Sequence, residues 1–76
     1  MAAWTPCKRR RFIQRLRRLG FSGPVQGTRH RFMVYGAKRL AIPSHAEYSV
    51  PQLLVLIREI EPILGRPLDS GEWERL

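Results

Sequence analysis

The chain has 76 residues, with 14 Lys and Arg against 6 Asp and Glu and a net charge of +8. A chain this short closes around one modest core and buries only about two-thirds of its unfolded surface, which excludes a deep enclosed cavity and places any chemistry on an open face. No run of about 18 apolar residues is present and the N-terminus lacks an apolar stretch of signal-peptide type, so a soluble, cytoplasmic protein with no membrane partner is expected.

The charge is unevenly spread. Residues 1–39 hold eleven cations and no acid, whereas residues 40–76 hold three cations and six acids. Arg outnumbers Lys twelve to two, and the guanidinium fork matches phosphate in a bidentate way that an ammonium does not. A one-sided basic half points to a polyanion: nucleic acid first, then an anionic membrane surface or an acidic protein. Cys7, His30 and His45 are too few and too scattered for a metal site, and no cofactor is expected.

In chain order, Thr5-Pro6 predicts the start of a helix, with Thr5 as cap and Pro6 at the first helical position. Gly20 closes it. Phe12, Leu16 and Leu19 share one face, flanked by Ile13, and Lys8, Arg11, Arg15 and Arg18 form a cationic stripe beside it. With no acid on this helix to pair with them, these four are candidate phosphate contacts. Phe21 to Gln26, interrupted by Gly23-Pro24, predicts a brief edge strand.

Gly27-Thr28-Arg29-His30 leads into an alternating segment, with His30, Phe32 and Val34 on one side and Arg31, Met33 and Tyr35 on the other. Gly36-Ala37 is a turn signal, and Lys38 to Ile42 returns as a strand. A two-residue loop at Gly36-Ala37 would set Tyr35 opposite Lys38. A three-residue loop through Lys38 sets Val34 opposite Leu40 and Phe32 opposite Ile42. The second register gathers all four apolar residues on one face and is preferred. It places Ser44 across from His30, with His45 one residue further, beyond the strand-breaking Pro43.

Ser49-Val50-Pro51-Gln52 is a capping box opening a second helix that buries Leu53, Leu56, Ile57 and Ile60. Leu54 and Val55 fall outside that stripe, and either meet the chain's own tail or form a partner surface. Pro62 and Gly65-Arg66-Pro67 end this helix. Asp69 to Glu72 forms another capping box, with Leu68 and Trp73 at staple positions, and predicts a short final helix. Helix, two or three antiparallel strands, helix, and a short extra C-terminal helix make an α+β domain whose sheet has one packed face and one open face. A single domain, residues 1–76, is expected, with its core in residues 6–64 and a C-terminal extension in residues 65–76.

Catalytic constellations are few. The only Asp, Asp69, reads as a cap, and Glu59 and Glu61 stand two apart on a helix and do not face each other. His30 remains. Imidazole both accepts and donates protons near neutral pH. RNA brings its own nucleophile, the 2′-OH, so a base together with cations that stabilise the charged phosphorane is a sufficient set. Regular strand alternation would keep Arg29 and Arg31 off the face that carries His30. Thr28, Arg29, Arg31, Lys38, Arg39 and His45 complete the candidate RNA contacts.

Gly27-Thr28-Arg29-His30-Arg31-Phe32 resembles the glycine, small residue, histidine, aromatic segment of the HicA family of toxins. The resemblance extends back through Phe12-Ile13, Leu16 and Leu19-Gly20-Phe21, and forward to Leu40-Ala41-Ile42-Pro43-Ser44-His45, which is similar to the family's strand ending in Pro-x-His. In weaker form it continues along Leu53 to Arg58, covering roughly residues 6–60. It implies a fold like a double-stranded RNA-binding domain, an mRNA interferase that cleaves without metal, neutralisation by a HicB-type antitoxin, and His30 as the catalytic histidine. Many relatives carry that histidine one place earlier, where this chain has Arg29. The alternative from a different class is a non-catalytic RNA-binding module of the same fold. A third reading is an interaction protein whose basic half docks on an acidic partner.

Overall fold

The first helix starts where a strand pair lets it start. The computed structural model describes residues 3–76, so residues 1 and 2 of the expected domain lie outside the described part. Strand β1 (Cys7–Lys8) pairs antiparallel with β5 (Glu47–Tyr48), and the Arg9 N–H donates to the Ala46 carbonyl at 3.0 Å. Helix α1 therefore runs over Arg9–Leu19, with Lys8 as a cap that makes no side-chain bond. The expected start at Thr5-Pro6 is corrected: residues 7 and 8 are held extended by a partner some forty positions away, and Ala46 accepts from one of the donors that a side-chain cap would have satisfied. The helix ends as expected at Gly20, whose φ of 110° is the left-handed conformation that terminates helices.

Three strands follow, β2 (Ser22–Gln26), β3 (Arg31–Tyr35) and β4 (Lys38–Ile42), paired antiparallel in the order β2-β3-β4. β2 is an edge strand, irregular between Ser22 and Val25, where Gly23 and Pro24 interrupt the ladder. The β3–β4 hairpin corrects the preferred register. Tyr35 pairs with Lys38, Met33 with Leu40 and Arg31 with Ile42. The loop is the two-residue Gly36-Ala37, with Gly36 at φ 60°, the positive φ that short hairpin loops require. Met33, Leu40 and Ile42 thus form the packed face. Phe32 and Val34 point the other way, with Arg39 and Ala41.

Helix α2 (Val50–Leu64) is capped by Ser49, whose hydroxyl accepts from the Gln52 N–H at 3.4 Å, and buries Leu53, Leu56, Ile57 and Ile60. Of the two stop signals expected, Pro62 and Gly65-Arg66-Pro67, the helix uses the second. The helix continues to Leu64 and ends on Gly65 at φ 79°, because the donor that proline lacks would have bonded the carbonyl of Arg58, an exposed residue. Helix α3 (Ser70–Arg75) is capped by Asp69, which accepts from the Glu72 N–H at 2.8 Å.

The architecture is α+β, with helices on one face of a three-stranded antiparallel sheet. One core cluster joins Phe12 and Leu16 of α1, Met33, Leu40 and Ile42 of the sheet, and the α2 stripe. The segment 65–76 contributes to that core: Leu68 and Trp73 are buried in it, and the Trp73 ring lies 5.4 Å from that of Phe12. Among the described residues no helix is long and apolar enough to cross a membrane.

Candidate functional site

His30 sits in the hairpin loop between β2 and β3, not on a strand. Gln26 pairs with Arg31, leaving Gly27-Thr28-Arg29-His30 as the connection. The Gly27 N–H donates to the His30 carbonyl at 3.0 Å and closes the loop. Residue 27 has to be glycine for this: a Cβ there would lie 2.5 Å from the His30 carbonyl oxygen and 3.3 Å from the Phe32 ring.

The loop overturns the expectation from strand alternation. Arg29, His30 and Arg31 line one cleft together, with Arg9 of α1 and Ser44 beyond β4. This cleft has a volume of about 280 Å³. Arg9 and Arg31 also line an adjoining groove of about 420 Å³, which runs along α1 past Arg10 and Arg17 to Pro24. No carboxylate lines either space among the described residues.

Several contacts hold these cations. Arg31 Nε donates to Gln26 Oε1 at 3.3 Å, and Arg17 Nε donates to the Gly23 carbonyl at 2.9 Å. Arg9 reaches the cleft from the core side. Burial pushes the Tyr48 hydroxyl above its ordinary pKa, while the neighbouring Arg9 guanidinium pulls it the other way. Tyr48 itself donates to the Pro43 carbonyl at 2.7 Å, fixing the chain just before Ser44. Arg9 Nε is buried without a hydrogen-bond partner.

Thr28 lies in the same loop and opens, with Arg29 and His30, towards the outer face of the sheet. Arg39 is on that face, its guanidinium 4.8 Å from the centre of the Phe32 ring. The α1 stripe lies outside the cleft: Arg11, Arg15 and Arg18 line another surface near Leu76, which meets the α1 groove at Gln14 and Arg17, and Lys8 is exposed on β1. Arg15 is committed to structure, with its guanidinium 5.3 Å above the Trp73 ring and Nη1 3.8 Å from Cys7 Sγ. Lys38, at the opposite end of the β3–β4 hairpin from His30, donates to the Pro62 carbonyl at 3.4 Å.

His45 is exposed and turns to α2, where its Nδ1 lies 3.2 Å from Gln52 Nε2. Ser44, which the preferred register set directly across from His30, still shares the His30 cleft although the register is different. Leu54 is half-buried and Val55 is 56% exposed on α2. Arg9, Arg10 and Arg17 are site residues that the sequence reading does not single out. A signal for two of them exists, since Arg10 and Arg17 stand seven apart and recur on one helix face, but the stripe through Lys8, Arg11, Arg15 and Arg18 is longer.

Comparison with known proteins finds no matching family model, no matching curated protein and no matching solved structure.

Proposed function

We propose that this protein is an endoribonuclease that binds RNA phosphates in the Arg9–Arg31 cleft and cleaves the chain with His30 as general base. The observation that carries this reading is the convergence of Arg9, Arg29 and Arg31 with His30 in one open cleft free of acidic side chains among the described residues. A phosphate there meets guanidinium groups able to stabilise a pentavalent, doubly charged phosphorane. The His30 imidazole removes the 2′-OH proton. The 2′-oxygen attacks the adjacent phosphorus, and the P–O5′ bond breaks with its electron pair on O5′. Water protonates that oxygen and the resulting hydroxide takes back the proton held on the His30 imidazolium, leaving a 2′,3′-cyclic phosphate, a free 5′-OH and a neutral His30. The Ser44 hydroxyl serves as a hydrogen-bond donor to a non-bridging oxygen.

A helix, three antiparallel strands and a second helix follow one another as α1-β2-β3-β4-α2, with only the two-residue β5 between β4 and α2, and this α+β arrangement supports the resemblance to HicA-type toxins. On that reading the protein is an mRNA interferase held in check by a HicB-type antitoxin, and the half-exposed Leu54 and Val55 on α2 are available to that partner. The rival reading, an RNA-binding module without cleavage, uses the same cations.

Induced expression of wild type and His30→Ala separates the two. Growth arrest and mRNA loss from wild type alone support the enzyme. Equal toxicity from both removes His30 from the chemistry.

A further inference from the structure

The outer face of the sheet is unusually apolar beside the His30 loop. An antiparallel sheet packed on one side normally turns polar side chains to water on the other. Here Val25, Phe32 and Ala41 form one cross-strand row on the open side. Val25 is 43% exposed. Phe32 is half-buried and stands outside both the core cluster and the side chains packed against it. The Phe32 ring rests instead on the bare backbone of Gly27, where a Cβ would come within 3.3 Å of two of its carbons.

Around this ring the surface is cationic. A hollow of about 470 Å³ is lined by Thr28, Arg29, His30, Phe32, Arg39 and Ala41, with no acid among the described lining residues. The Arg39 guanidinium lies against the ring at 4.8 Å and has no hydrogen-bond or ion-pair partner among the described residues. Arg29, His30 and Arg31 line both this hollow and the phosphate cleft. The loop is thus a ridge, with a phosphate-binding side and an aromatic side.

We propose that Phe32 is a stacking platform for an unpaired nucleobase, and that the substrate of the His30 site is single-stranded RNA. This rests on the ribonuclease reading of the cleft. The chain of the RNA crosses the 27–30 loop, with its phosphate between Arg9 and Arg31 and the neighbouring base on the Phe32 ring. Arg39 gives up the ring face to the base and moves to the adjoining phosphate. A flat π-surface flanked by arginines is the chemistry that holds single strands without regard to sequence. In a duplex, each base face is already covered by its neighbours, so the platform favours unpaired strands.

The test is binding of 2′-O-methyl RNA, which lacks the nucleophile, by fluorescence anisotropy at low salt. The probes are a single strand, its duplex, and an abasic sugar-phosphate strand of equal length. Wild type is expected to bind the single strand about tenfold or more tightly than the duplex or the abasic strand. Phe32→Leu loses about tenfold on the single strand alone, and Phe32→Tyr retains wild-type affinity. Equal affinity for abasic and normal strands, or a preference for duplex, overturns the platform while leaving the phosphate cleft standing, and the abasic comparison needs no variant to fold. The platform is equally overturned if Arg31→Ala weakens every probe and Phe32→Leu weakens none. Absence of binding to all probes by wild type removes both proposals.

Discussion

The Gly27 N–H donates to the His30 carbonyl oxygen at 3.0 Å, and a Cβ on residue 27 would stand 2.5 Å from that same oxygen. His30 is therefore held where it is by the absence of a side chain three residues earlier. Gly27→Ala must displace the His30 backbone, because the obstructed atom is a carbonyl and not a flexible side-chain tip. Displacement of a reacting group by about 1 Å costs on the order of 100-fold in rate. Gly27→Ala is expected to lose RNA cleavage on that scale while circular dichroism still reports a folded protein; unimpaired cleavage would contradict the positioning role of the loop.

Arg29 and Arg31 are expected to bind phosphate. Each Arg→Ala change should weaken RNA binding and lower the slope of log K against log salt by about 0.7 to 0.9, the value for one phosphate no longer neutralised. Lys38→Ala, at the far end of the hairpin where Nζ donates to Pro62, should leave that slope unchanged. A salt titration of the three variants checks this.

Trp73 ties the C-terminal segment to the core, 1% exposed, with its ring tilted against that of Phe12 and covered by the Arg15 guanidinium. Trp73→Ala should cost about 3–5 kcal/mol. That is a large share of the stability of a small domain, so urea unfolding should show a sharply lowered midpoint. Val55→Ser, on the exposed side of α2, should stay within about 0.5 kcal/mol of wild type.

Alkaline pH should loosen the fold. Burial raises the pKa of the Cys7 thiol above 9.0 and that of the Tyr48 hydroxyl above 10.0, while nearby arginines oppose the rise in both. A group that binds its proton more tightly when folded gives stability that is full below its unfolded pKa and lost as pH climbs through the folded value. Thermal melting temperatures should fall above about pH 9, and less steeply in Cys7→Ala. At pH 8 the native thiol should react slowly with iodoacetamide and rapidly in urea. Fast alkylation of the native protein would contradict a buried, protonated Cys7.

Local signals in the sequence carry most of the fold. Leu53, Leu56, Ile57 and Ile60 are buried as their spacing predicts, and Ser49, Asp69 and Gly20 terminate helices where their chemistry suits it. The differences involve partners distant in sequence. Nothing in Cys7-Lys8 announces Glu47–Tyr48 as a strand partner, so local chemistry places the helix start too early. The preferred hairpin register assumes that Phe32 and Val34 belong inside; the fold uses Phe21, Tyr35 and the α2 stripe to fill that side and leaves Phe32 out. The same physics governs the candidate site. His30 is legible as a residue type, but its union with Arg9, Arg29 and Arg31 depends on an irregular loop and on how α1 lies across the sheet.

The role of His30 is decided with purified protein and RNA. Wild type and His30→Ala are incubated with a defined single strand, and the product ends are analysed by mass. Wild type is expected to leave 2′,3′-cyclic phosphate and 5′-OH ends, and His30→Ala to bind the strand with similar affinity without cutting it. Cleavage by His30→Ala at the wild-type rate, or binding by wild type with no cleavage, would show that His30 is not the base of a ribonuclease.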